Sequence, residues 1–316
     1  MTHAGLGLAF GEVRTALLQN SRPLSADRAA EILDLVAGER VRRIHRPIDR
    51  AISADRWEGV DCRLPSSRGA HTRGVGTLAS HAIVTGGHVA QGSTHADLIA
   101  APSTRRQPWS HYLATPGRLE IIGKYRPDEI AGGLLRDGTD PGVLDVGAIA
   151  DRGLDIVQRD ARLDHLPPLR APRTAFRWVA YLGAETLTGA YTIESERLRT
   201  LRLTVPGQEL PAVVRLCEDL ALHDWLLTAL TAIVEAALTG DHDQAERVRR
   251  LRPAIEHLAH LWMPGAQVDE ELMPVWTALN RRPGFDRQWT ATVTRVRDLL
   301  TLTAARDRVS RPPGDD

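Results

Sequence analysis

Apolar and polar positions change their period part-way along the chain. Up to about residue 135 they alternate in twos, as in half-buried strands; beyond about residue 140 they recur at helical spacing. Leu6, Leu8 and Phe10 alternate with small residues and predict a first strand. Ser25 is placed to cap a helix that carries Ile32, Leu33 and Val36 on one face and ends at Gly38. Pro47 argues against a central strand or a helix in the segment from Ile44 to Ile52. Two strand-like runs, Val75 to Thr85 and His88 to Ser93, flank Gly86-Gly87, a pair that tolerates the positive φ of a two-residue turn. That hairpin sets Val84 against Val89, Ala82 against Gln91 and Leu78 against His95. A short helix opened by Pro108 and a strand from Arg118 to Gly123 follow.

The second half predicts a helix from Asp145 to Arg159, an extended link at Pro167-Pro168 and Pro172, and short strands around Phe176–Ala180 and Leu201–Val205. Pro211 opens a long helix that Gly240 closes. Val213, Leu216, Leu220, Leu227, Leu230 and Val234 form one stripe on it, while Leu222, Leu226 and Ile233 are apolar on another side. A helix apolar nearly all round belongs at the centre of a core. Asp241 with Gln244 resembles a capping box for the next helix, which contains Pro253, and Trp289, Val293, Val296 and Leu300 line a last one. The fold class expected is α+β: a strand-rich N-terminal domain over residues 1–140, then a mainly α-helical domain over 141–308. Each should have its own core, although strands within 176–205 can return to the N-terminal sheet. Residues 309–316 read as a disordered tail.

Composition narrows the function classes. The chain has 316 residues with 40 basic and 40 acidic side chains, so no global field draws it to nucleic acid or anionic lipid. Lys124 is the only lysine. It is followed by Tyr125, not Ser or Thr, and no glycine stands five positions before Gly123, which excludes a P-loop. Two distant cysteines, Cys62 and Cys217, exclude a disulfide framework and cysteine-based zinc sites and fit a reducing compartment. Residues 1–5 have neither a basic region nor an apolar core, so no signal peptide is expected and the location expected is cytoplasmic. Arg215, Glu218, Asp219, His223, Asp224 and Glu235 interrupt the most apolar stretch and argue against a transmembrane helix.

Candidate chemistry is sparse. His81, His88 and His95 are evenly spaced, but the hairpin register puts His95 on the opposite face and holds His81 and His88 about 13 Å apart, too far to share an ion. Asp219 stands one turn before His223, where its carboxylate can accept an imidazole hydrogen bond. With His257 and His260 on a later helix, this pair is the best metal alternative, against the simpler reading of a satisfied buried pair. No metal or cofactor is expected. Arg40, Arg42, Arg43, His45, Arg46 and Arg50 form a basic run that could meet phosphates. Glu39 and Asp49 dilute it, no aromatic residue is interleaved, and a solvated or internally paired surface is expected instead of a nucleic-acid partner. Glu12 and Arg14 should project side by side from the first strand, on the solvent face of the sheet or into a pocket. A pocket of the latter kind would take Glu12, Arg14, His111 and Tyr112 as catalytic candidates, with Gln91 and Ser93 binding a ligand.

Several phrases together carry a resemblance: Phe10-Gly-Glu-Val-Arg-Thr15, Gly59-Val-Asp-Cys62, Gly74-Val-Gly-Thr77, Gln91-Gly-Ser93, Pro108-Trp-Ser-His-Tyr-Leu113 and Cys217-Glu-Asp-Leu-Ala-Leu-His-Asp-Trp-Leu226. Over roughly residues 6 to 235 the chain resembles an actinobacterial family of unknown function, encoded in a cassette with a variant P-loop protein and a SAM-dependent methyltransferase. The resemblance implies no catalytic or binding residue. It implies other proteins of the cassette, the P-loop protein and the methyltransferase, as partners, and no membrane. The expected role is a non-catalytic interaction or scaffold component; the alternative is a small-molecule or nucleotide-processing enzyme with its pocket in the N-terminal domain.

Overall fold

The computed structural model describes residues 6–68, 72–136, 138, 141–207, 209–239 and 244–309. It is an α+β fold built on one ten-stranded mixed sheet. The strands are β1 (Gly7–Leu17), β2 (Arg42–Ile44), β3 (Arg50–Ile52), β4 (Arg56–Leu64), β5 (Thr72–Thr85), β6 (Val89–Ala100), β7 (Arg118–Ile122), β8 (Thr174–Leu182), β9 (Thr188–Ile193) and β10 (Leu198–Val205). β1 lies between β6 and β8, antiparallel to both, and β10 runs parallel to β8 with β9 outside it. The long β5 pairs with β6 near the turn and with β7 further down, and β3 and β4 share its other edge.

Helices cover both faces. On one lie α1 (Ala26–Ile32), α3 (Pro127–Leu135) and α4 (Val146–Gln158). Caps fix two of these starts: Ser25 Oγ accepts the Arg28 N–H, and the Asp145 carboxylate accepts the Ala148 N–H. α1 ends at Leu33, before Gly38, because the chain turns there to reach β2. The other face carries α5 (Leu210–Thr239), backed by α6 (Gln244–His257), α7 (Met273–Arg281) and α8 (Phe285–Val309). The short α2 (Trp109–Leu113) packs against β5. α5 is long and apolar enough to pass for a membrane span, yet 72% of its most apolar window is buried inside the protein. Gly240, Asp241 and the tail 310–316, for which a helix stop, a cap and disorder are expected, lie outside the described residues.

Two expectations are corrected here. The largest core cluster combines Ala9, Val13, Leu17 and Val89 with Phe176, Trp178 and the α5 side chains, so the core of the C-terminal helices is not their own. Its cause is β8, which begins at Thr174 and hydrogen-bonds along the whole of β1. The second correction is the hairpin register. Gly86 and Gly87 do take positive φ, but Thr85 pairs with Val89, leaving His88 as an extra residue at the tip. The true pairs are therefore Val84 with Ala90, Ala82 with Gly92, and Ala79 with His95. A one-residue slip moves every side chain to the other face. His95 consequently shares the face of His81, not the opposite one.

Candidate functional site

The corrected register lines up Gln91, Ser93 and His95 of β6 with His81 of β5, on the face that α5 covers. α5 meets this row with Glu218, 2% exposed. A buried carboxylate on an apolar helix is costly without partners, and the sheet provides them. His81 Nε2 stands 2.6 Å from Glu218 Oε1, and Arg50 donates to Glu218 Oε2 at 3.1 Å. The other ring nitrogen of His81, Nδ1, is 2.9 Å from Asp55 Oδ1. Gln91 Nε2 donates to Thr15 Oγ1 and to the Glu218 carbonyl.

Burial alone would strip the proton from His81, but Glu218 and Asp55 outweigh it and raise its pKa to about 9. Burial likewise opposes a charged Glu218; the His81 imidazolium and Arg50 prevail and hold it near 2. His95 lies edge-on to His81 with ring centroids 5.9 Å apart. Burial first, and then the charge on His81, drive its pKa down to about 4, and its Nδ1 is shut from solvent without a hydrogen-bond partner. Two imidazoles side by side are thus held in opposite protonation states. They line a cleft of about 300 Å³, walled by Ile52–Asp55 and by Pro211, Val214 and Arg215 at the start of α5.

No protein-family model, curated protein or solved structure matches the chain.

The six residues proposed for a single N-terminal pocket are not gathered into one. Glu12 and Arg14 do share a face, with Arg14 Nη2 2.7 Å from Glu12 Oε1, but that face is neither solvent nor pocket. α4 covers it, Glu12 is 2% exposed, and Arg177 closes on the other carboxylate oxygen at 2.9 Å. His111 and Tyr112 sit on α2. His111 Nε2 contacts Glu120 at 2.6 Å, and Tyr112 Oη accepts the Gln107 N–H. Gln91 and Ser93 belong to the His81–Glu218 cluster, buried behind the cleft.

The metal alternative also separates. His223 and Asp219 are buried together, yet the ring donates to the Asp219 backbone carbonyl at 2.7 Å while its Nε2 accepts the Met263 N–H. The Asp219 carboxylate instead accepts from Gly265 N–H and Trp276 Nε1–H, tying the loop after α6 and the helix α7 to the core helix. His257 and His260 face His88 at the hairpin tip, where His257 Nδ1 is 3.2 Å from His88 Nε2. Among the described residues no three His, Cys, Asp or Glu side chains are grouped to hold a metal ion.

Sequence reasoning missed Asp55 and Glu218, set His81 and His95 aside on a register one residue out, and took Arg50 only as part of a basic run. One signal pointed to them: Glu218 is an acid within a helix predicted to be apolar nearly all round, and such a residue requires a buried partner.

Proposed function

We propose that the protein binds a small molecule in the cleft at the start of α5 and acts on it by proton transfer, with His95 as the accepting base. One observation supports this reading: a neutral imidazole lines a cleft, beside a second imidazole locked in its charged form by carboxylates on both sides. Both nitrogens of His81 are occupied, so His81 serves to position and polarise, and His95 is left to meet a ligand. The reading moves the small-molecule alternative from the pocket expected around Glu12 and Arg14 to the opposite face of the sheet.

A second reading, the interaction component, is favoured by an exposed aromatic patch. Trp57 and Trp109 remain 47% and 38% exposed, Leu113 60%, and Arg106 lies over the Trp109 ring at 5.1 Å. Tryptophan and arginine are the usual anchors of protein interfaces. The partners would be the P-loop protein and the methyltransferase of the cassette associated with the resembled family.

A thermal-shift screen against a panel of small metabolites tests the first reading. A stabilising compound should be converted by the wild-type protein and not by His95→Gln, while the variant still binds it. Conversion that survives the substitution would sink the assignment of His95. No stabilising compound, together with capture of the methyltransferase or P-loop protein that Trp109→Ala abolishes, would establish the interaction reading instead.

A further inference from the structure

The basic run Arg40 to Arg50 is largely accounted for by internal pairing. Arg43 binds Asp27, His45 contacts Asp49, and Arg50 binds Glu218. Arg40 and Arg42 are the exceptions that reach the cleft: both line its mouth, both are exposed, and neither side chain has a partner among the described residues. A charge tally of the site gives them meaning. On its floor the His81 imidazolium and Arg50 are balanced by Asp55 and Glu218, and on its wall Arg215 is offset by Asp269 at 2.5 Å. The two uncompensated charges that remain are the guanidinium groups of Arg40 and Arg42.

The wall beside them includes Pro211, Val214 and Arg215 at the start of α5, a helix of 30 residues whose macrodipole adds a further positive potential at its N-terminal end. Guanidinium forks match oxyanions in shape as well as in charge. We infer that the ligand of this cleft carries a phosphate or carboxylate group, held by Arg40 and Arg42 at the mouth, with the rest of the molecule directed toward His95. The volume limits its size. About 300 Å³ is the space of about ten waters and the lower end of ligand pockets. That fits a molecule of sugar-phosphate or dicarboxylate size.

The inference rests on the cleft being the ligand site, and the test separates the two. Titration calorimetry at constant ionic strength compares inorganic phosphate and malonate, in separate arms, on the wild-type protein, on the Arg40→Ala/Arg42→Ala double variant and on His95→Gln. Both arginines are exposed, so their removal leaves the core intact. Saturable binding of one anion is expected, with the stronger arm naming the oxyanion. The double variant should lose at least tenfold in affinity, and His95→Gln should keep it. Equal binding by the double variant, or no saturable binding of either anion, overturns the inference. A neutral compound that binds in the cleft regardless of the two arginines would leave the cleft as the ligand site and remove the anion. Arginine-dependent anion binding without turnover would leave the anion and remove the proton transfer.

Discussion

His81 is the residue whose ionisation most directly couples chemistry to stability. Its pKa rises on folding from the ordinary 6.5 to about 9. The stabilisation from its two carboxylate contacts is therefore complete below pH 6.5 and is lost as pH rises through 9. His88 and His95 act in the opposite sense. Burial and neighbouring imidazoles hold both near 4, so they cost stability as pH falls from 6.5 toward 4. The melting temperature should pass through a maximum near pH 6.5. Its decline between pH 6.5 and 9 should be flattened in His81→Gln, measured by thermal melts across that range. An unchanged alkaline slope in the variant would show that His81 is not held charged. The histidines were visible in the sequence as an even spacing. What they do was not, because their partners Asp55 and Glu218 lie 26 and 137 residues from His81 and meet it solely through the fold.

Among the elements, the hairpin of β5 and β6 shows how a correct local reading can place side chains wrongly. The double glycine marks the turn, and its positive φ values are as expected. The added residue at the tip comes from tertiary contact: the His88 carbonyl is taken by Leu18 N–H, and the Gly87 carbonyl by Leu24 N–H. That local demand, absent from any propensity, decides which face receives His95. α5 gives the converse case. Its all-round apolar pattern requires a central position, and the helix is indeed enclosed by the sheet and by α6 to α8. α4 depends on a small residue opposite it. A Cβ on Gly92 would run into the carbonyl oxygen of Ala150 and press on Leu154, so Gly92→Ala must lift the helix from β6. The expected cost is about 1–3 kcal/mol, the range for overpacking, read from urea denaturation. An unaffected midpoint would mean that α4 does not rest on Gly92.

At the scale of the whole molecule, the single sheet governs how the chain can be divided. The link between α4 and β8 is exposed and irregular over much of residues 160–173, which invites a protease. Cleavage there should not release two folded pieces. β8 is paired along β1, and Trp178 lies against Gly11 so closely that a Cβ at Gly11 would strike its ring. Nicked protein should elute as one species in native gel filtration and separate into fragments solely under denaturant. Two independently folded fragments would contradict the shared core. The local pattern of the chain determined the α+β class, most of the strands and helices, the cap at Ser25 and the central place of α5, because these follow from interactions between near neighbours. The tertiary structure decided the rest: that β8 to β10 join the N-terminal sheet, that Glu12 is buried beneath α4, and that His81, His95, Asp55 and Glu218 form one site. Each of those depends on pairing between distant segments, where one residue of register determines which side chains meet.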